Sequence, residues 1–255
     1  MLERARVVKA PVTVGDMDSV SEEILAAARN RRNGYVCVAN VHMVTAARRD
    51  TKLMEVMERA LAVTSDGMPL VWDLRRRGYR SARRVAGPDL MLRLCERASA
   101  EGVAIYFHGA SEGVLEALKT NLVERFPGLA VAGMQAPPEI AERPAFDPDA
   151  VALIQASGAR LVFVGLGCPK QEFWMAAQTP RLASVLVGVG AAFDFLSGEK
   201  RRAPLWMQRR GLEWLFRLVT EPGRLWHRYL VTNSLFLYYL FVDGLCAAIS
   251  RPAKT

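Results

Sequence analysis

Short apolar segments typical of β-strands alternate with amphipathic segments along most of this chain. Runs rich in β-branched and other apolar residues occupy positions 35–39, 61–63, 103–107, 129–134, 161–164 and 185–189. Between them apolar side chains recur at helical spacing, as at Val114, Leu118 and Leu122, and this period predicts helices that bury one face. Strands that alternate with helices form a mostly parallel sheet with helices on both faces. We therefore predict an α/β fold.

The remaining segments predict how this fold begins and ends. With 255 residues, of which 51% are hydrophobic and 24% charged, the chain can bury a core and is not expected to be disordered,. Residues 7–14 predict an opening strand or one arm of a hairpin. Residues 190–203 predict a loop, residues 205–219 one helix, and Pro222 the start of another. Earlier helices are predicted over 19–30, 43–60 with a break near Asp50, 68–77, 87–100, 111–126 and 147–157.

The segment 162–172 (VFVGLGCPKQE) indicates a ligand site. An apolar strand runs into a glycine-rich turn and then into a helix that has Pro169 in its first turn. In α/β proteins ligands bind at the carboxyl ends of strands, and helix N-termini favour anions. Glu172 could serve only to complement the helix dipole, whereas Gln171 has no such structural explanation. The candidate ligand-contacting residues of this unit are Gly165, Gly167, Lys170, Gln171 and Glu172.

Two polar residues follow neighbouring strands earlier in the chain. Asn40 ends the strand predicted at 35–39, and Asp66 comes after the strand predicted at 61–63. Each could be the N-cap of the helix that follows, which is the more common role for Asn and Asp at such a position. Alternatively, the two share a site at one edge of the sheet, where Asp66 would act as a general base toward an attacking hydroxyl.

Three further residues have both a structural and a functional interpretation. Arg84 could clamp a phosphate, although a charged residue beside Arg83 is by default exposed to solvent. Gly190 could approach a phosphate, although a lone G-x-G after a strand more often forms a tight turn. Asp194 lies between two Phe residues, and it could be a site residue or a turn residue.

Most of the positive charge lies in one short segment. Of the formal net charge of +8, residues 200–228 contribute +6, from eight Lys or Arg and two Glu. This distribution predicts a local anionic partner, such as phosphates or a membrane surface. Arginine binds pyrophosphate bidentately, and Arg210, Arg217 and Arg224 recur every seven residues. No helix-turn-helix or other reader motif is present, so nucleic acid is not a predicted partner.

The end of the chain is apolar and aromatic. Trp206, Trp214 and Trp226 could anchor a core or lie at a membrane interface,. The apolar run 235–242 (LFLYYLFV) is shorter than the about 20 residues of a spanning helix. A longer span would include Asp243 at a cost of about 3 kcal/mol. We therefore predict an amphipathic helix at a membrane interface rather than a spanning one. Association with a second copy of the chain would fit the same tail.

Cysteine and histidine spacing indicates neither a metal site nor a disulfide framework. The four cysteines are far apart and form no C-x-x-C, which fits a reducing compartment. The N-terminal residues lack the apolar core of a secretory signal, so we expect a cytosolic chain. No G-x-G-x-x-G opens the first strand–helix unit, which argues against a nicotinamide cofactor. No metal or other cofactor is predicted.

Five sequence blocks together resemble the bacterial WecG/TagA/CpsF family of glycosyltransferases. Their order and spacing are family-like, and together with Asn40 they span residues 40–230. Two positions depart from the family pattern, because Val38 stands where Thr is frequent and His227 where Arg is common. The blocks are SDGMPLVW (65–72), RVAGPDL (84–90), VGLGCPKQE (164–172), GVGAAFDFLSG (188–198) and RRAPLWMQRRGLEWLFRLVTEPGRLWHRYL (201–230).

The resemblance implies a Rossmann-like α/β catalytic domain at residues 1–200. It also implies a helical, basic and apolar appendage, residues 201–255, that associates with the cytoplasmic face of the inner membrane. The implied reaction is metal-independent and inverting. It moves N-acetylmannosamine, its uronate or a hexose from a UDP-sugar to a polyprenyl-diphosphate-linked sugar during surface polysaccharide biosynthesis.

The resemblance also implies roles for individual residues. Asp66 would be the catalytic base that activates the acceptor hydroxyl. The nucleotide-sugar pocket would contain Asn40, Arg84 and Gln171. The diphosphates would meet Arg217, Arg224 and Arg228. Two alternatives from other functional classes are a nicotinamide-dependent oxidoreductase and a noncatalytic adaptor that binds membranes through the basic tail.

Overall fold

Six parallel strands form the central sheet of the computed structural model, which describes residues 2–249 except for the side chains at 224 and 246–249. Two earlier strands, β1 (Arg4–Val7) and β2 (Ala10–Thr13), pair as an antiparallel hairpin. The sheet strands are β3 (Gly34–Ala39), β4 (Ala62–Ser65), β5 (Ile105–Gly109), β6 (Val131–Gln135), β7 (Leu161–Gly165) and β8 (Val185–Gly188). Their order across the sheet is β4-β3-β8-β7-β5-β6. The predicted parallel α/β fold is confirmed.

Helices cover both faces of this sheet because its side chains alternate between two apolar layers. Val162 and Leu186 pack in one layer with the hairpin and with α2, α3, α4, α7 and α8. Phe163 and Val187 pack in the other layer with α1, α5 and α6. These helices are α1 (Met17–Arg29), α2 (Val41–Arg49), α3 (Thr51–Arg59), α4 (Met68–Arg76), α5 (Gly87–Glu101), α6 (Glu112–Arg125), α7 (Pro148–Ser157) and α8 (Lys170–Gln178), and a 3-10 turn follows at Thr179–Arg181.

The segment after β8 differs from its prediction in two places. The predicted loop 190–203 contains a short helix, because Phe193 is buried against Phe107 with ring centroids 5.8 Å apart. The single helix predicted at 205–219 is interrupted at Gly211, which adopts a left-handed φ of 72°. The helices observed here are α9 (Ala192–Leu196), α10 (Leu205–Arg209), α11 (Glu213–Thr220) and α12 (Pro222–Ile249).

The last helix is packed onto the rest of the fold. Helix α12 lies against α2 and α11, and its Phe236 joins the apolar layer that contains α2. Arg48 of α2 forms an ion pair with Asp243 at 2.6 Å and lies over the Tyr239 ring at 4.3 Å. Helix α12 therefore has an inner face that contributes to the core.

The outer faces of α10, α11 and α12 expose large apolar side chains. Trp206, Trp214 and Trp226 are 55%, 42% and 55% exposed, so the interpretation of these tryptophans as core anchors is wrong. Exposed apolar residues continue along one side of α12 at Leu230, Leu237, Phe241 and Leu245. None of the helices within residues 2–249 combines the length and apolar character that crossing a bilayer requires.

Candidate active site

Asn40 and Asp66 lie at the adjacent carboxyl ends of β3 and β4. The backbone N–H of Asp66 donates to the Ala39 carbonyl at 2.8 Å. Asn40 caps α2, because its Oδ1 accepts from the Met43 N–H at 3.1 Å. The cap interpretation of Asp66 is wrong, since the N-cap of α4 is Gly67. The Asp66 carboxylate is therefore free to serve another purpose.

Arg84 contacts Asp66 because the segment that leads into α5 runs beside β4. The Val85 N–H donates to the Ser65 carbonyl at 3.0 Å, and the Ser65 hydroxyl donates to the Arg83 carbonyl at 2.8 Å. Arg84 Nε donates to the Asp66 carbonyl at 2.8 Å, and Nη2 lies 3.2 Å from Asp66 Oδ1. The Arg84 side chain is 18% exposed, so the default expectation of a solvent-exposed arginine is wrong.

The surroundings of Asp66 raise its proton affinity. Burial raises the pKa of the carboxyl to about 6, the Arg84 cation opposes that rise, and the nearby Glu213 carboxylate adds to it. Arg217 and Arg202 lower the pKa more weakly. A quarter of the Asp66 side chain still reaches solvent. Such a carboxylate is ionised at neutral pH and basic enough to accept a proton, which is what a general base requires.

Gln171 lies at the start of α8 with its amide facing the turn after β8. The side chain is 3% exposed, and its Nε2 donates to Glu172 Oε1 at 2.7 Å. Its Oε1 is buried and has no hydrogen-bond partner among the described residues. A Cβ at Gly190 would lie 3.5 Å from this oxygen. An unpaired buried acceptor at a strand end can receive an N–H or O–H from a ligand.

Glu172 is fully buried beneath Gln171. Burial raises the pKa of its carboxyl to about 7, and hydrogen bonds from Gln171 and Cys168 oppose the rise. A side chain buried this deeply does more than complement the helix dipole. Lys170, the first residue of α8, is half-buried next to this pair. The predicted strand–turn–helix unit is confirmed, and within it Gln171 and Glu172 act as one hydrogen-bonded pair.

The three glycines of the candidate site have structural reasons to be glycine. A Cβ at Gly165 would lie 2.6 Å from the Phe193 ring. Gly167 and Gly190 adopt left-handed φ values of 81° and 53°, which strain other residues. The tight-turn interpretation of Gly190 therefore fits, and these turns bring the ends of β7 and β8 close to Gln171.

Asp194 lies in α9 and not in a loop turn. Its Oδ2 forms an ion pair with Lys200 Nζ at 2.9 Å. The Lys200 N–H also donates to the Asp194 carbonyl at 2.9 Å. These contacts hold the chain where it leaves α9 toward α10, and they give Asp194 a structural role.

Two arginines of the appendage offer unpaired donors close to the strand ends. The Nε atoms of Arg217 and Arg228 are buried and have no hydrogen-bond partner within residues 2–249. The Arg217 guanidinium lies over the Phe195 ring, 5.5 Å from its centroid, and its positive charge opposes the rise that burial causes in the pKa of Asp66. Burial lowers the pKa of His42 and raises that of Cys168, and the positive charge of Arg228 shifts both pKa values downward. Buried, unpaired guanidinium N–H groups are suited to bind phosphate oxygens.

The other two predicted arginines differ from this pair. Arg210 is exposed and lies over Trp206 at 5.9 Å. Arg224 belongs to α12, but its side chain lies outside the described residues. Because Gly211 and Pro222 separate α10, α11 and α12, the seven-residue spacing does not place Arg210, Arg217 and Arg224 on one helix.

Two residues at this edge were not predicted from the sequence. Glu213 of α11 lies 2.7 Å from Arg84 Nη2 and is 12% exposed. An isolated acid within a basic segment is the sequence signal that could have indicated this ion pair. His42, in the first turn of α2, has a buried Nδ1 with no partner in the described part of the chain. Burial and, next, Arg228 lower its pKa, and no spacing in the sequence indicates this position.

Metal ligands do not converge in the described part of the chain. No group of three or more His, Cys, Asp or Glu side chains in it could hold a metal ion. The arginines Arg84, Arg202, Arg217 and Arg228 supply positive charge around the strand ends.

Comparison with known proteins identifies the family. The profile of the glycosyl transferase WecG/TagA/CpsF family matches residues 5–248. A protein of Bacillus spizizenii named N-acetylglucosaminyldiphosphoundecaprenol N-acetyl-beta-D-mannosaminyltransferase is 31% identical over 200 residues, which cover 78% of this chain and 76% of that protein. Neither match supports the oxidoreductase or the noncatalytic adaptor. The chain belongs to the WecG/TagA/CpsF family and is a glycosyltransferase.

Proposed function

We propose that this protein transfers a sugar from a UDP-sugar to a polyprenyl-diphosphate-linked sugar in surface polysaccharide biosynthesis. The name of the Bacillus relative specifies an N-acetyl-β-D-mannosaminyl group and an N-acetylglucosaminyldiphosphoundecaprenol acceptor. These are the first donor sugar and acceptor to test. The uronate of N-acetylmannosamine and a hexose are the alternative donor sugars.

The Asp66 carboxylate is the single observation that carries the proposed mechanism. It lies at a strand end, it does not cap α4, and Arg84 holds its backbone and side chain. In the proposed reaction the acceptor hydroxyl attacks the anomeric carbon and gives its proton to Asp66. The bond from that carbon to the UDP oxygen breaks on the opposite face, and the bonding electrons leave with UDP. The configuration at the anomeric carbon is inverted.

Arginines are proposed to balance the charge of the diphosphates without a metal ion. UDP gains negative charge as it leaves, and fixed cations in a partly buried site stabilise that charge. The buried Nε atoms of Arg217 and Arg228, unpaired within the described residues, support their assignment to diphosphate binding, and Arg224 is proposed to join them. Asn40, Arg84 and Gln171 are assigned to the nucleotide-sugar pocket. Asn40 follows β3 beside the end of β4, Arg84 contacts Asp66, and the Gln171 amide faces the turn after β8.

The membrane is the proposed location of the reaction, at the cytoplasmic face. In this division residues 1–200 are the catalytic domain and residues 201–255 the appendage that meets the lipid. The support is the exposed apolar side of α12, which begins at Trp226 and continues through Phe241, next to a segment of net charge +6. Apolar side chains beside basic residues favour binding to anionic lipid surfaces.

The test is transfer by the purified full-length protein. A panel of UDP-sugars is incubated with a lipid-diphosphate-sugar acceptor, and transfer is compared for wild type and Asp66→Asn. We expect Asp66→Asn to lose about 10²- to 10⁴-fold in rate, while its melting temperature and its UDP binding persist. The matched control is Asp18→Asn, at a residue whose side chain is 76% exposed. Near-normal transfer by Asp66→Asn would refute the proposed mechanism.

A further inference from the structure

Glu213 brings a carboxylate from the appendage to the strand ends. Its Oε2 lies 2.7 Å from Arg84 Nη2, and its Oε1 lies 3.4 Å from Arg202 Nε. Glu213 begins α11, where an exposed acid would suffice to complement the helix dipole. Its side chain is 12% exposed, and the two arginines account for that burial.

Arg84 is shared between Glu213 and Asp66. The same Nη2 atom contacts both carboxylates, and Nε is used by the Asp66 carbonyl. A guanidinium held from two sides has little freedom to rotate. The distance between Arg84 and Asp66 therefore depends on where the Glu213 carboxylate lies.

Arg202 is anchored from the other side. Asp89, in the first turn of α5, binds Arg202 with two hydrogen bonds, of 2.6 and 2.8 Å. Side chains of alternating charge thus form a continuous ion-pair network from the end of β4 to α5, and Glu213 of α11 is its central residue. The successive members of this network are Asp66, Arg84, Glu213, Arg202 and Asp89.

We propose that Glu213 is a positioning residue that couples the docking of α11 to the catalytic base, by drawing the Arg84 guanidinium partly away from Asp66 and so limiting how fully this arginine neutralises it. This proposal rests on the proposed role of Asp66. It differs from a purely structural ion pair, because it ties the proton affinity of the base to the presence of the appendage. A chain whose appendage is undocked would then hold a weaker base.

The charged groups around Asp66 allow a directional test. Arg84, Arg217 and Arg202 favour its ionised form, and Glu213 opposes it. Glu213→Gln removes the opposing charge and also frees Arg84 to turn toward Asp66. Both effects lower the pKa of Asp66. The acid limb of the pH profile of kcat/KM is therefore expected to move to lower pH by about half a unit or more, and the plateau rate to fall several-fold.

The experiment measures kcat/KM against pH for wild type, Glu213→Gln, Glu213→Asp and a control. Glu213→Asp keeps the charge, but its shorter side chain cannot reach both arginines. We therefore expect its acid limb to move to lower pH by less than that of Glu213→Gln. If Glu213→Gln does not fold, the result for Glu213→Asp tests the proposal. Glu199→Gln removes one charge from an exposed position before the appendage and is expected to keep the wild-type profile.

The outcomes separate this inference from the proposed function. An unchanged acid limb in the folded Glu213 variants, together with an inactive Asp66→Asn, overturns the positioning role alone and leaves a structural ion pair. Wild-type transfer by Asp66→Asn overturns the proposed function itself. An acid limb that moves to lower pH in Glu213→Gln, but not in Glu199→Gln, supports the positioning role.

Discussion

The Arg84 guanidinium grips Asp66 at two points, with Nε on the backbone carbonyl at 2.8 Å and Nη2 at 3.2 Å from Oδ1. The backbone contact fixes where the arginine lies, and the side-chain contact favours the ionised carboxylate. Burial acts in the opposite direction and is the larger effect. The balance of these two effects determines the pH at which the proposed base can work.

The first prediction concerns the pH dependence of transfer. A general base must be unprotonated, and the pKa of Asp66 is raised to about 6, so kcat/KM should rise through pH 6 and level off above it. Arg84→Gln removes a cation that lowers this pKa, and it should move the acid limb to higher pH. Arg83→Gln, at the exposed neighbouring residue, is the control. An acid limb that stays in place or moves down in Arg84→Gln would contradict the prediction.

The second prediction concerns the appendage arginines. Arg217→Ala and Arg228→Ala should each lower kcat/KM by about 10- to 100-fold, since a lost charge-assisted contact to phosphate is worth about 1.5–3 kcal/mol. Their melting temperatures should change little, because within the described residues the Nε atoms have no partner to lose. Arg209→Ala, at an exposed position of α10, is the matched control. Equal rates for all three variants would show that Arg217 and Arg228 do not bind the diphosphates as proposed.

The third prediction concerns Glu172 and stability. Its pKa is raised from 4.5 to about 7 by burial, so the folded state keeps a proton that the unfolded state loses between these values. The glutamate therefore destabilises the fold increasingly as pH rises from about 4.5 to 7, by up to about 3 kcal/mol.

Removing that charge should stabilise the protein at alkaline pH. Glu172→Gln should melt higher than wild type at pH 8, and the difference should shrink toward pH 5. Glu124→Gln, at an exposed residue of α6, should show no such pH-dependent difference. Thermal unfolding at several pH values measures both. A difference for Glu172→Gln that does not vary with pH would show that folding does not raise the pKa of this carboxyl.

The fourth prediction concerns the docking of α12 on α2. Arg48→Ala removes both the 2.6 Å ion pair with Asp243 and the contact with Tyr239. We expect a loss of about 1–2 kcal/mol, more than a surface pair gives, because both partners are mostly buried. Limited proteolysis should cut α12 faster. Arg49→Ala, at the exposed neighbouring residue, should behave as wild type, and equal cutting of the two variants would argue against this anchor.

The alternation of elements could be predicted from the sequence, and the contacts between distant residues could not. The strands and the helices up to α8 carry their own apolar period, so local pattern located them. Short helix α9 lacks such a period and depends on packing of Phe193 against Phe107. The break at Gly211 depends on a single left-handed φ. The strands and earlier helices could be predicted because local spacing determines them, whereas α9 and the break at Gly211 could not, because they depend on tertiary contacts and on one backbone angle.

The candidate site shows the same division. Asp66 at the end of a strand and Gln171 at the start of the helix after a strand were identified by position, because the carboxyl edge of a parallel sheet is where ligands bind. The burial of Arg84 was not predicted, because its carboxylate partners lie 18 and 129 residues away. Glu213 was missed for the same reason. Ion pairs across such separations leave no periodic signal in a single sequence.

The position of β8 has a consequence for how the enzyme is made. This strand pairs with β3 on one side and β7 on the other, so until residues 185–188 leave the ribosome the sheet consists of two pieces with open edges. Such edges invite pairing with other chains. Asp66 follows one piece and Gln171 follows the other. We therefore expect a nascent chain that stops short of β8 to be inactive and prone to aggregate, because the two halves of the candidate site meet only when this strand is inserted.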